Sequence, residues 1–458
     1  MQTPFSFDFI TSFGLLSVFI LSGLILRAKI RFFQKYLIPS SLIGGFAGLL
    51  ILNTFPLTLN IEMFETITYH LFSVSFISVG LTAFAGSGRK KNDTSPTVKG
   101  VAKGVFWGGL IEGTTLAVQS LVGCLLVFVF VFMGYDLFPT FGLFAPLGFT
   151  QGPGQALSFG KVWEGFGFEN AATIGLIFAT MGFLFAFFAG VPMVSWGIRK
   201  YKGKTEQTVL PQEILKGYFV KGSQKESAGN QTTHSANMDS LAFQTALVGA
   251  VYLLTYGFVT LLNLPFPESI SRMNWGFVFF YGLLMALVTG WVMKKTGANR
   301  LIDQTAQKRI TGWSIDFLIV STIFAIKPAI VVKFIFPILA IGLCSGIATT
   351  VVIVYFGNRL SEHNLERMVL LYGTCTGTLS SGLLLLRIVD PKLDSPVALE
   401  AGVLALGALP FVLVSMLLVN AKFLFGWEIW HIMAAFALML VLNISVLKVT
   451  GLWGKRRF

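Results

Sequence analysis

Two short polar segments hold the residues best suited to bind a small solute: Gln151-Gly-Pro-Gly-Gln-Ala-Leu-Ser-Phe-Gly160 and Gly373-Thr-Cys-Thr-Gly-Thr-Leu-Ser-Ser-Gly382. Each interrupts long apolar runs, each contains Leu-Ser-x-Gly, and they fall at corresponding places in the two halves of the chain. Irregular backbone at membrane depth survives only where protein or a watery cavity satisfies its N–H and C=O groups. A matched pair of such interruptions points to a transport site. Gly152-Pro153-Gly154 can form a tip with helix ends on either side. N–H groups at a half-helix N-terminus attract an anion, whereas free carbonyls and hydroxyl oxygens suit a small hard cation. Gly152, Gly154, Gln155, Ser158, Thr376, Thr378 and Ser380 are therefore candidates for an anionic solute. Thr150, Gln151, Thr374 and Ser381 are candidates for a cation such as sodium. Small-residue helix contacts would explain one segment alone; two in inverted positions favour the site.

Charges inside apolar runs are the next candidates. Glu112, in Gly108-Gly-Leu-Ile-Glu-Gly-Thr-Thr115, lies well inside a span. A mid-membrane charge costs about 2.5–3.5 kcal/mol on the insertion scale, so it should face a partner, water or another helix. Binding a cation or proton and a hydrogen-bonded structural role stand equal for it. Arg387 could clamp a carboxylate in two-point fashion; the alternatives are pairing with Asp390 or snorkelling to the interface. Asp316 is expected at the start of a span and Glu400 a turn into another. Lys161 reads as an interface residue at the end of the first polar segment. His70, His234, His363 and His431 are scattered and form no triad or ligand set.

The elements that must position these groups are membrane helices. The chain has 458 residues, 54% hydrophobic and only 12% charged, with 46 Phe; a soluble domain carries about 25% charged residues. Runs long enough to cross a hydrocarbon core of about 30 Å occur at about 9–26, 37–58, 69–86, 105–133, 171–198, 241–263, 275–293, 313–332, 334–356, 396–418 and 427–447. Pro39, Pro192, Pro328 and Pro410 mark expected kinks or ends. The formal charge of +13 does not indicate nucleic acid, because the basic residues sit in short loops with no recognition module. They alternate by side: all but five of the 34 Lys and Arg fall on one side, the exceptions being Lys161, Arg272, Lys327, Lys333 and Lys422. This asymmetry places the N-terminus outside and the C-terminus in the cytoplasm. It is consistent only if 141–162 and 366–390 enter and leave the membrane on one side, as re-entrant hairpins. The first apolar run precedes its basic cluster, which predicts a retained span rather than a cleaved signal.

The expected fold is thus an all-α polytopic membrane protein of about eleven transmembrane helices, with two inverted repeats of five spans, each holding a hairpin. The first repeat covers 1–198 with its hairpin near 141–162. A polar cytoplasmic linker follows over 199–240, then the second repeat over 241–420 with its hairpin near 366–390. Residues 421–458 add one span and a basic tail. Cys124, Cys344 and Cys375 form no CxxC or Cys/His cluster, so neither a disulfide frame nor zinc is indicated. A membrane enzyme would need clustered His, Asp-rich or Ser/His arrangements, and none is present; no cofactor is expected.

On Lys35-Tyr-Leu-Ile-Pro-Ser-Ser-Leu-Ile-Gly-Gly45, Phe76-Ile-Ser-Val-Gly-Leu81, Gly152–Lys161, Gly167-Phe-Glu-Asn-Ala171 and the segment from Gly373, the chain resembles the bacterial sodium/glutamate symporter family. The likeness runs over roughly 9–420. Gly152-Pro-Gly-Gln-Ala-Leu stands where that family usually reads Gly-Gly-His-Gly-Thr-Gly. The resemblance implies that the hairpins form a mobile transport domain sliding against a scaffold in a homodimer. It also implies that glutamate or a similar dicarboxylate crosses the bacterial inner membrane together with sodium. A proton- or sodium-coupled carrier of another organic anion or amino acid is the alternative, and a passive channel a more distant one.

Overall fold

The computed structural model describes residues 6–54, 60–85, 98–201, 210–223, 227–360, 362–391, 393 and 395–456. Arg89, Lys90, Lys91, Lys392, Arg457 and the linker stretches 202–209 and 224–226 lie outside the described residues. Every regular element described is a helix. The principal ones are α1 (Asp8–Lys29), α2 (Ser40–Thr54), α3 (Ile61–Thr82), α4 (Val98–Phe132), α5 (Phe144–Phe149), α6 (Pro153–Glu164), α7 (Ala171–Phe188) and α8 (Gly190–Tyr201). They continue as α9 (Ser240–Asn263), α10 (Val278–Lys295), α11 (Gln304–Phe324), α12 (Ile335–Gly357), α13 (Asn364–Thr376), α14 (Leu379–Val389), α15 (Pro396–Val419) and α16 (Ile429–Val449).

Among the described residues, eight helices are long and apolar enough to cross a membrane: α1, most of α4, α7 with α8, α9, α10, α12, α15 and α16. The remaining three expected spans are helical but differ in character. α2 has 15 residues, about 22 Å at 1.5 Å per residue, short of a roughly 30 Å core. α3 and α11 are diluted by hydroxyls, amides and charges because they lie against each other inside protein. Thr68 and Ser321 share a 2.6 Å hydrogen bond, Ser321 donates to the Phe64 carbonyl, and Ser78 donates to Gln307 Oε1 at 2.7 Å. A helix buried among helices can carry paired polar groups that a lipid-facing one cannot. The expected span 313–332 is displaced: Asp303 caps the helix by accepting from the Ala306 N–H at 2.7 Å, so it starts at Gln304 and ends before Pro328. Asp316 consequently stands in the middle of α11 rather than at its start.

The helices divide into two groups by their neighbours. α3 and α11 lie side by side, with α2 against α11, α10 against α3, α1 on α2 and α9 on α10. In the second group α4 runs along α12, α15 and α16, while α7 holds α5 and α6. At 35 residues, α4 is about 52 Å long and exceeds a straight crossing. Pro410 lies inside α15, and the chain breaks between α7 and α8 ahead of Pro192. The three cysteines are unbridged.

Candidate functional site

Both polar segments are helix–break–helix units. In the first, α5 ends at Phe149 and the chain passes through Gly152 at φ +86°, a left-handed conformation favouring glycine. Pro153 then opens α6, where its missing N–H is no loss. In the second, α13 ends at Thr376 and α14 begins at Leu379, with the Thr378 hydroxyl capping the Ser381 N–H at 3.4 Å. The arms α13 and α14 lie together as a hairpin; a Cβ on Gly373 would stand 2.5 Å from the Gly382 nitrogen.

The two breaks meet. A Cβ on Gly152 would lie 3.5 Å from the Gly377 carbonyl, and α7 is so close that a side chain at Gly182 would strike the Thr376 carbonyl. A buried network ties the breaks to two helices. Thr150 donates to Gln119 Oε1 at 2.7 Å and lies 3.1 Å from the Cys375 carbonyl. Gln119 Nε2 donates to Thr349 Oγ1 at 2.8 Å and to the Cys375 carbonyl at 3.3 Å. Gln119 belongs to α4 and Thr349 to α12, so one amide joins four elements. Among the described residues, Gln151 Nε2 and Gln155 Oε1 at the first break have no hydrogen-bond partner, nor have Thr173 Oγ1 on α7 and Ser345 Oγ on α12. Gln155 is only 3% exposed. A buried polar atom with no partner is costly, about 1–3 kcal/mol, which a bound solute, ion or water would offset.

The remaining candidates are distributed as follows. Ser158, Thr374 and Thr376 donate to carbonyls four residues back in their own helices, at 2.7, 2.9 and 2.6 Å. Their oxygens keep lone pairs for a cation. Ser381 faces Thr378 and is buried, whereas Ser380 is exposed. Gly154 sits against α3, where a Cβ would run into the Phe72 ring. Arg387 stands in the last turn of α14, nine residues past Thr378 and so roughly 13 Å along the axis. The structure does not bring it to the break.

Glu112 is buried in α4, with no hydrogen bond or ion pair to another described residue, and lies within electrostatic reach of Cys375. It precedes Gln119 by seven residues, two helical turns, so the two share one face. That spacing was available in the sequence as a signal for Gln119, which composition alone conceals. Thr349 carries no such signal.

Two ion pairs flank the site. Arg367 at the start of α13 grips Glu400 of α15 with two bonds, Nε–Oε2 at 2.8 Å and Nη2–Oε1 at 2.5 Å, both side chains nearly inaccessible. Glu400 is therefore an anchor for the second hairpin. Lys161 on α6 reaches Glu65 of α3 at 2.6 Å and borders a cleft of about 310 Å³ lined also by Glu62, Tyr69 and His70. Among the described residues, no group of three or more His, Cys, Asp or Glu could hold a metal; hydroxyls and carbonyls supply the available oxygen ligands.

Residues 5–382 match the family model described as sodium/glutamate symporter. The match spans most of the chain and ends inside the second hairpin, leaving α15, α16 and the tail beyond it. No individual curated protein matches. With apolar helices suited to a membrane and paired breaks joined at a buried polar network, the chain belongs to the sodium/glutamate symporter family, whose members are transporters and not enzymes.

Proposed function

We propose that the chain imports L-glutamate, or a similar dicarboxylate, together with sodium across the bacterial inner membrane. The observation that carries this reading is the meeting of the two breaks at Gln119, Thr150 and the Cys375 carbonyl, beside Gln151 Nε2 and Gln155 Oε1, which have no partner among the described residues. The N-terminal end of α6 offers N–H groups to a carboxylate, with Gly152, Gly154, Gln155 and Ser158 around it. Thr376, Thr378 and Ser380 approach from the second break, and Arg387 would meet substrate only during passage. Sodium would take oxygens from Thr150, Gln151, Thr374 and Ser381, with Glu112 as a further ligand. Each net positive charge moved inward gains about 2.3 kcal/mol per 100 mV, so cation coupling can concentrate an anion.

The mechanism is of elevator type, in the first and second repeats over 1–198 and 241–420, with two re-entrant hairpins and a cytoplasmic linker between. Support comes from matched packing: α2 on α11 answers α10 on α3, and α1 on α2 answers α9 on α10. This six-helix group would form the scaffold of a homodimer, and the hairpins with α4, α7, α12 and α15 the moving part. The charge asymmetry supports an N-terminus outside and a C-terminus inside. The first hairpin touches the scaffold where Gly154 meets Phe72. Gly154→Ala is expected to jam that surface, since overpacking costs about 1–3 kcal/mol; uptake should fall and recover in the Gly154→Ala/Phe72→Ala pair.

A proton-coupled carrier of another organic anion is the second reading, favoured by the buried carboxyl of Glu112, which has no partner among the described residues. Replacing the sodium gradient with a pH gradient separates the two. Sodium coupling predicts that Glu112→Gln still needs sodium, at higher concentration; proton coupling predicts that the variant loses pH-driven uptake but retains exchange.

A further inference from the structure

Beyond the hairpins, the chain builds a second polar cleft at the end of the bundle where its basic residues concentrate. After α16 the chain turns through Gly451 at φ +68° and folds back. Leu452 is buried and Trp453 settles against the Tyr355 and Phe356 rings at 6.1 and 5.7 Å, its backbone N–H donating to the Leu447 carbonyl at 3.0 Å. Gly454 lies against the Arg359 carbonyl. The tail is therefore seated across the ends of α12 and α4, not trailing from α16. The cleft so formed has a volume of about 510 Å³ and is lined by Lys103, Arg359, Lys455 and Arg456, with no acidic residue among the described residues of the lining.

Four cations in one cleft repel one another. Ordinary topology signals lie along a loop in water; here a folded tail brings two of them against Lys103 of α4 and Arg359 just past α12. Arg359 shows the contrast with Arg367. Its guanidinium stacks 3.6 Å over the Tyr355 ring and donates to the Tyr355 carbonyl at 2.8 Å. Lys103, Arg359 and Lys455 have no acidic partner among the described residues. Stacking orients the planar fork that binds phosphate oxygens in two-point fashion. The cleft lies at helix ends, beside a Trp of the kind that sits at headgroup level.

We propose that this cleft binds a phosphate group, that of an anionic lipid headgroup in the cytoplasmic leaflet. Basic pockets between helix ends on that side are suited to such headgroups. Binding would fasten α16 and the tail to α4, the helix that carries Gln119.

The test uses the full chain in neutral detergent, following the melting temperature as cardiolipin, phosphatidylcholine or inorganic phosphate is added. Cardiolipin should raise it and phosphatidylcholine should not. The cardiolipin response should need about tenfold more lipid in Arg359→Gln. Because Arg359 also packs on Tyr355, Lys455→Gln/Arg456→Gln, on exposed side chains, is the second variant and should weaken the response similarly. A variant-sensitive response to inorganic phosphate instead of lipid supports the site and assigns it a soluble phosphate compound. Equal responses in wild type and both variants, or no response to cardiolipin or phosphate, overturns the proposal.

Discussion

Gln119→Leu is expected to lower sodium-driven uptake about hundredfold while the protein still folds. Leucine has a similar volume but neither accepts from Thr150 nor donates to Thr349 and the Cys375 carbonyl, the bonds Gln119 makes at 2.7, 2.8 and 3.3 Å. Each buried polar group left without a partner costs about 1–3 kcal/mol, and a factor of ten corresponds to about 1.4 kcal/mol. The loss falls where the two breaks meet, so it should misplace both tips and appear first in transport. Thr150→Val should act in the same direction by removing one of these bonds. The double variant should be little worse than Gln119→Leu, because residues in one network do not add. Normal uptake by purified, reconstituted Gln119→Leu would make the network a structural brace and not part of the site.

Arg367→Met should produce the largest loss of stability. The guanidinium meets both oxygens of Glu400 and also donates to the Glu362 carbonyl at 2.9 Å. Removing one partner of a buried pair leaves an uncompensated charge, typically costing 3–5 kcal/mol. Little folded protein should be recovered, with a clearly lowered melting temperature. Replacing both partners, Arg367→Met with Glu400→Leu, removes the stranded charge and should restore most of the stability. A double variant no better than Arg367→Met would show that the bonds of Arg367 to the Glu362 and Gly100 carbonyls, not the pair with Glu400, carry its contribution.

The paired breaks were legible because Gly, Pro and hydroxyls stand out against apolar runs whose length is set by a membrane. Helix boundaries were less so where buried polar groups replace lipid-facing ones. α3 and α11 carry Thr68, Ser78, Gln307 and Ser321 because each pairs across an interface, and a hydropathy reading counts these only as dilution. Gln119 and Thr349 were missed for a related reason. One amide and one hydroxyl in apolar helices become a site only when folding brings Cys375 and Thr150 to them. Arg367 reads as a topology signal, since nothing local reveals a carboxylate 33 residues further on. The sequence placed Glu400 a turn into its span, but its partner needed the fold. Arg387 shows the opposite limit: a suitable side chain in the right segment, yet about two and a half turns from the break.

The central claim is tested most directly by uptake of labelled glutamate into proteoliposomes holding the purified full chain. The account predicts accumulation above equilibrium under an inward sodium gradient, faster with an inside-negative potential if more than one sodium accompanies each glutamate, and none with equal sodium on both sides and no membrane potential. Absence of uptake of glutamate or of any dicarboxylate, under either a sodium or a proton gradient, would contradict it.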